Sequence, residues 1–201
     1  MKPIYKIFVK IDKRFQDEIE TESGIKLYKD TSFKQEENST IVGHVVAAPD
    51  KYDRSMGTPD FKANVMAGDK LYFHFLVTID EENRIEVDGE EYWMVDYFNA
   101  IALVRGGKII PVGDYILLEP IKEEIKTDLI VPDLVDTEKT KGLIVASNDP
   151  SIPEGSVVEY EDVGKFWNVI EGRRLYCMWN QNILFIHNDQ TADQTDKRDS
   201  Q

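Results

Sequence analysis

The sequence predicts an all-β chain, and three observations carry that prediction. Nearly every apolar run is short and alternates with polar residues, the pattern of a half-buried strand. Turn residues separate the runs. The whole order of runs and turns then occurs a second time after Gly107.

The first half reads strand by strand. In Tyr5-Lys6-Ile7-Phe8-Val9-Lys10-Ile11 the odd positions are apolar and the even ones mostly charged. A charged stretch over 18–39 follows and contains Gly24-Ile25-Lys26-Leu27. Thr40-Ile41-Val42-Gly43-His44-Val45-Val46-Ala47-Ala48 is the second strand. Residues 49–64 form a long loop with Gly57 and two prolines, and Ala67-Gly68-Asp69 turns into Lys70-Leu71-Tyr72-Phe73-His74-Phe75-Leu76-Val77. Asp88-Gly89, between Ile85-Glu86-Val87 and Tyr92-Trp93-Met94-Val95, predicts a hairpin with a type I′ turn, because both turn residues accept positive φ. A short connector over 96–99 leads to the closing strand Ala100-Ile101-Ala102-Leu103-Val104, and Gly106-Gly107 breaks the pattern.

The second half repeats this order. Tyr115-Ile116-Leu117-Leu118 stands for the first strand, Leu129-Ile130-Val131 for Ile25-Lys26-Leu27, and Gly142-Leu143-Ile144-Val145-Ala146 for Gly43-His44-Val45-Val46-Ala47. The Gly155 turn stands for the Gly68 turn, and residues 169–186 align without a gap on 87–104. The second half is shorter, mostly in the counterpart of the 49–64 loop. The domains expected are 1–106 and 107–187. Residues 188–201, polar and rich in Asp, Gln and Thr, are expected to be a disordered tail.

Composition narrows function. The 38 acidic residues against 24 basic ones give a formal net charge of -14, which disfavours a phosphate-backbone partner and argues against nucleic acid. No apolar run approaches the roughly 18 residues of a membrane span. The start lacks the apolar core of a signal peptide, so a soluble, cytoplasmic protein is expected. Cys177 is the only cysteine, so no intrachain disulfide can form, and its apolar strand suggests a small buried hydrophobe. His44, His74 and His187 have no ligand spacing with Cys177 or with each other, so no metal is expected. No phosphate-cradling glycine loop and no nucleophile elbow is present, and acid pairs such as Glu90-Glu91 and Glu123-Glu124 read as solvated charge. No enzyme activity and no cofactor are expected.

One stretch remains distinctive. Residues 121–147 are charged and strand-poor in the middle, yet hold Leu129-Ile130-Val131 closed by Pro132-Asp133. Such a tripeptide either folds back onto the body or orders on an apolar groove of a partner. The stretch, with Lys141-Gly142-Leu143-Ile144-Val145-Ala146 after it, resembles the mobile loop of the GroES co-chaperonin family. Asp128 departs from the family, which usually has Gly there. Over residues 4–187 the chain is similar in layout to the double-domain co-chaperonins of chloroplasts.

The resemblance implies two tandem GroES-like β-barrels with long mobile loops, and a roof-like segment at 49–64 in the first half only. It implies a co-chaperonin that caps a GroEL-type chaperonin ring, encloses unfolded protein substrates and assists ATP-dependent folding as a homo-oligomer, the ATP belonging to the chaperonin. Ile25, Leu27, Leu129, Ile130 and Val131 would dock, with Gly24 and Pro132 shaping the loops. The rival expectation is a structural or assembly protein, such as a virion or scaffold component, that reuses the barrel without binding a chaperonin.

Overall fold

The computed structural model describes residues 3–11, 18–20, 26–28, 40–50, 64–121, 140–161 and 163–187. The chain is all-β, as expected, and the described residues hold one short helix, α1 (Leu76–Ile79).

The first sheet is built from β1 (Ile7–Ile11), β4 (Thr40–Ala47), β5 (Lys70–His74), β6 (Arg84–Val87), β7 (Glu90–Val95), β8 (Ala100–Arg105) and β9 (Lys108–Pro111). Between β1 and β4 the described residues form two short strands, β2 (Glu18–Glu20) and β3 (Lys26–Tyr28), which pair with each other. The first sheet is antiparallel in the order β6-β7-β1-β4-β5-β8-β9. The second is built from β10 (Tyr115–Pro120), β11 (Lys141–Ser147), β12 (Val157–Tyr160), β13 (Phe166–Ile170), β14 (Arg173–Trp179) and β15 (Ile183–His187), in the order β13-β14-β10-β11-β12-β15. Strand for strand, the second sheet repeats the first, with β9 as the one addition. That strand carries the first sheet past Gly106-Gly107 to Pro111.

The repeat extends to the irregularities. The β1–β4 register shifts between Phe8 and Val9, and the β10–β11 register between Leu117 and Leu118. The β5–β8 register shifts between Tyr72 and Phe73, and the β12–β15 register between Glu159 and Tyr160. Bulges re-aim side chains locally, so matching bulges keep the two cores equivalent. One alignment is corrected. The turns Asp88-Gly89 and Glu171-Gly172 correspond, as do the 3-10 turns Tyr97–Asn99 and Asn180–Asn182. The second block therefore runs one residue later than the gapless match of 87–104 on 169–186. The gapless match follows the apolar run and overlooks where φ turns positive. Asp88 and Gly89 take φ of 55° and 79°, Glu171 and Gly172 of 51° and 76°, so both are type I′ hairpins.

Two closed barrels were expected. Among the described residues β6 and β9 end the first sheet and β13 and β15 end the second, and these end strands do not pair with each other.

The core has three parts. One fills the first half around Ile7, Val9, Leu71, Phe73, Trp93 and Leu103. Another fills the second half around Ile116, Leu118, Ile144, Val158, Tyr160 and Met178. The third lies between the halves and joins Tyr72, Ile101 and Ala102 to Leu117, Ala146, Leu175 and Cys177. This middle core explains the runs that do not alternate. Ala100-Ile101-Ala102-Leu103 and Tyr115-Ile116-Leu117-Leu118 are buried throughout, because each strand is covered on both faces: β10 alternates between its own core and the middle core, while on β8, beside a bulge, Ala100 and Leu103 face their own core and Ile101 and Ala102 the middle one. Among the described residues no helix is long and apolar enough to cross a membrane.

Candidate partner-binding site

The residues expected to dock sit on the connections from β1 to β4 and from β10 to β11. Gly24, Ile25, Leu129, Ile130, Val131 and Pro132 lie outside the described residues. Leu27 is on β3, where its backbone pairs with Ile19, and Lys26 pairs with Glu20. The first connection thus contains a hydrogen-bonded hairpin, where the sequence suggested only a charged loop.

The bases of both connections are built alike. Ile11 faces Gly43 across β1–β4, and Pro120 faces Gly142 across β10–β11. A Cβ on Gly43 would lie 3.1 Å from both Lys10 O and the Val9 Cβ, and one on Gly142 would lie 3.1 Å from Glu119 O and 2.5 Å from Leu118 Cδ1. Glycine lets the returning strand cross at that distance. Around the first base Lys10 pairs with Glu90 and lies over the Tyr92 ring at 5.4 Å. At the second, Arg173 donates to Glu119 Oε1 from Nε at 3.2 Å and from NH2 at 2.9 Å.

The two bases lie on the same side of the molecule. Thr40, where the first connection rejoins the sheet, donates its hydroxyl to Asn168 Oδ1. Asn168 is buried on β13 and pairs with Leu175 on β14. β14 in turn pairs with β10, whose far end opens the second connection.

A polar latch ties the halves nearby. Glu171 Oε1 accepts from Tyr72 Oη at 2.6 Å and from Lys70 Nζ, and Glu171 N donates to Tyr72 Oη at 3.2 Å. A glutamate at φ 51° is uncommon, since asparagine or aspartate suits that conformation better. These bonds give the strained position a partner. The Lys70 hydrogen bond, then that from Tyr72, hold the Glu171 carboxyl below its usual range. The same contact raises Lys70, while burial chiefly raises Tyr72. A depressed carboxyl contributes stability above its unfolded value, and that contribution is lost as pH falls through its folded value. Wild type should therefore lose urea resistance below about pH 4.5, the ordinary glutamate value. Glu171→Gln should flatten that acid limb at a cost under about 1 kcal/mol at neutral pH, because the pair is largely solvated. Parallel acid limbs for the two proteins would refute the latch as an acid-sensitive contact.

Two clefts open between the halves. One, of about 510 Å³, is walled by Phe75, Phe98, Phe166 and Trp167 with His74, Asn99 and Lys165 among its polar groups. Leu76 N donates to His74 Nδ1 at 3.3 Å, and burial lowers the imidazole's affinity for a proton. A neutral His74 ring that accepts at Nδ1 carries its proton on Nε2. The other cleft, of about 430 Å³, is polar and lined by Asn64, Tyr97, Asp114, Asn148, Asp149 and Asn180. In it Asp149 is held below the usual carboxylate range by Ser151, through hydroxyl and backbone, and by Asn180. Cys177 is fully buried, and burial pushes its thiol well up. Among the described residues no group of three His, Cys, Asp or Glu could hold a metal ion. His44 is exposed on β4, and His187 Nε2 lies 3.0 Å from Glu159 Oε1.

Sequence reasoning missed the latch and the middle core. Its available signals were Glu171-Gly172 standing in for Asp88-Gly89, and the unbroken apolar runs of β8 and β10. No protein-family model matches the chain, and no curated protein matches it.

Proposed function

We propose that the chain is a tandem, two-unit GroES-like co-chaperonin that docks on a GroEL-type chaperonin ring through Leu129, Ile130 and Val131, assisted by Ile25 and Leu27. The carrying observation is the placement of the two connections. Equivalent strands launch both, matching glycines shape both bases, and the Thr40–Asn168 contact sets both bases on one side. Baits presented together bind by avidity. One apolar tripeptide gains about 3–5 kcal/mol from burial, and much of that is offset by ordering the loop. Several loops offered at once bind tightly and release together. In this reading each half is a GroES-like barrel, the chain performs no catalysis and binds no nucleotide, and unfolded protein is enclosed by the complex.

The second reading is a structural or assembly protein built on the same duplicated sheets, and the β2–β3 hairpin favours it by giving the first connection fixed structure. Capture on a GroEL-type ring with and without ATP separates the two. The co-chaperonin reading expects capture that depends on ATP. Equal, background-level recovery in both conditions would leave the structural reading.

A further inference from the structure

The larger of the two clefts between the halves differs from the rest of this chain in charge. The sequence carries 38 acidic residues, and the smaller cleft is lined by Asp114 and Asp149. Among the described residues no carboxylate lines the larger cleft, of about 510 Å³, and Lys165 stands in its wall. Lys165 Nζ is held 4.9 Å from the Tyr176 ring centroid and 5.7 Å from that of Tyr160. The Arg174 guanidinium, 4.0 Å from the Trp167 ring centroid, places a second positive charge beside the cleft. An ammonium has three donors, so it can serve these rings and an anion together. His74 adds a donor. Its Nδ1 accepts from Leu76 N, and Nε2 bears a proton in the neutral and the charged ring alike.

The remaining walls are mostly aromatic and come from both halves. Phe75 and Phe98 belong to the first, Tyr115 and Phe166 to the second. His74 and Phe75 are stacked at 4.8 Å and 28°, whereas Tyr115 and Phe166 meet edge-on at 6.1 Å and 86°. Such walls offer ring faces and ring edges, and a flat aromatic ring gains from both beyond the area it buries. An alkyl chain gains the area alone. Tyr115 Oη already donates to the Phe98 carbonyl at 3.5 Å, so the groups that fix a ligand's orientation are Lys165, His74 and Asn99. An apolar cleft of this volume with a few polar groups has the make-up of a small-molecule site.

We propose that this cleft binds a small planar aromatic carboxylate, its ring against Phe98 and Phe166 and its carboxylate at Lys165 and His74 Nε2. The ammonium favours the anion over a neutral or cationic ligand of the same shape. An anion entering the smaller cleft would meet Asp114 and Asp149 instead. Because each half supplies part of the wall, a bound ligand holds the halves together and stabilises the folded chain by mass action. None of the lining residues lies on the two connections used for ring docking. The inference therefore stands apart from the proposed function, and failure of either leaves the other intact.

The test is isothermal titration calorimetry of the full chain against naphthoate. Naphthylmethylammonium supplies the same ring with the opposite charge, and decanoate supplies an aliphatic acid. Naphthoate is expected to bind with a dissociation constant on the order of 100 µM, in keeping with a ligand of its size, and to raise the melting temperature. The ammonium and decanoate should each bind at least about tenfold more weakly. Lys165→Met keeps most of the stem and removes the charge. It should weaken naphthoate about tenfold with an unchanged circular dichroism spectrum. Phe98→Ala removes a wall without touching the charge and should weaken naphthoate to a similar degree. Equal binding of naphthoate and the ammonium would mark an unspecific apolar surface and overturn the inference. So would decanoate binding as tightly as naphthoate, or wild-type affinity in either folded variant. Absence of both binding heat and a melting shift at about 1 mM naphthoate would overturn it as well.

Discussion

Arg105→Met is expected to lower the unfolding free energy by about 2–4 kcal/mol. Asp69 is 3% exposed and sits at the turn into β5. Its carboxylate accepts from Arg105 Nε at 2.7 Å and NH2 at 2.6 Å, and from Met66 N at 2.7 Å. Arg105 NH2 also donates to the Asn64 carbonyl at 2.7 Å, so one side chain closes the base of the 49–64 connection onto β8. Removing the guanidinium leaves a buried carboxylate with only its backbone donor. Breaking a buried pair from one side costs about 3–5 kcal/mol, and the partial exposure of Arg105 places this case toward the lower end. The second half shows the uncharged alternative, since Ser156 occupies the position of Asp69 and its backbone N–H makes the equivalent turn hydrogen bond to Pro153 O at 3.2 Å. The double variant Asp69→Ser with Arg105→Met should therefore recover part of the loss, a coupling visible in a double-mutant cycle. Urea unfolding checks both. A single Arg105→Met variant within about 0.5 kcal/mol of wild type, the range of ordinary surface substitutions, would show that the pair is solvated.

The fold was legible because its determinants are local. Alternation in Ile7 to Ile11 decides which face is buried, Asp88-Gly89 decides a turn, and the repeat doubles the weight of each signal. What stayed illegible depends on contacts between distant residues. Nothing near Tyr72 in sequence announces Glu171, 99 residues away. The register error has a similar cause. Apolar positions in Val169-Ile170 and Val87 align in more than one way, whereas positive φ at Asp88 and Glu171 admits one. The paired β2–β3 hairpin escaped notice because Glu18-Ile19-Glu20 and Lys26-Leu27-Tyr28 are too short and charged to stand out from a loop. The candidate docking residues were named by the resemblance to the GroES family, beside an apolar tripeptide set in a charged stretch, and Leu129, Ile130 and Val131 lie outside the described residues.

Ile130→Asp should weaken binding to an ATP-loaded chaperonin ring several-fold to a hundredfold, about 1–3 kcal/mol, because it sets a charge in an apolar groove. The prediction rests on the proposed function and on a ranking of the two connections. Leu129, Ile130 and Val131 can all enter a groove, and Pro132 lowers the entropy lost on docking. In the first connection Ile25 and Leu27 flank Lys26, whose ammonium must stay in solvent or find an acid. The β2–β3 hairpin works in the opposite direction. It fixes the Lys26 and Leu27 backbones before docking, which spares about 1–2 kcal/mol per residue of conformational entropy. An unpaired buried ammonium costs considerably more than that, so the second connection still ranks first. Lys26→Val removes the penalty and puts a β-branched residue, which a strand prefers, at that position of β3, so it should tighten binding. Each single variant is measured at constant salt, which holds screening between the acidic chain and the ring fixed. Wild-type binding by Ile130→Asp together with lost binding by Ile25→Asp would reverse the ranking and make the pre-ordered hairpin the principal contact. If neither substitution changes binding, the apolar tripeptides are not the docking elements and the co-chaperonin reading loses its physical basis.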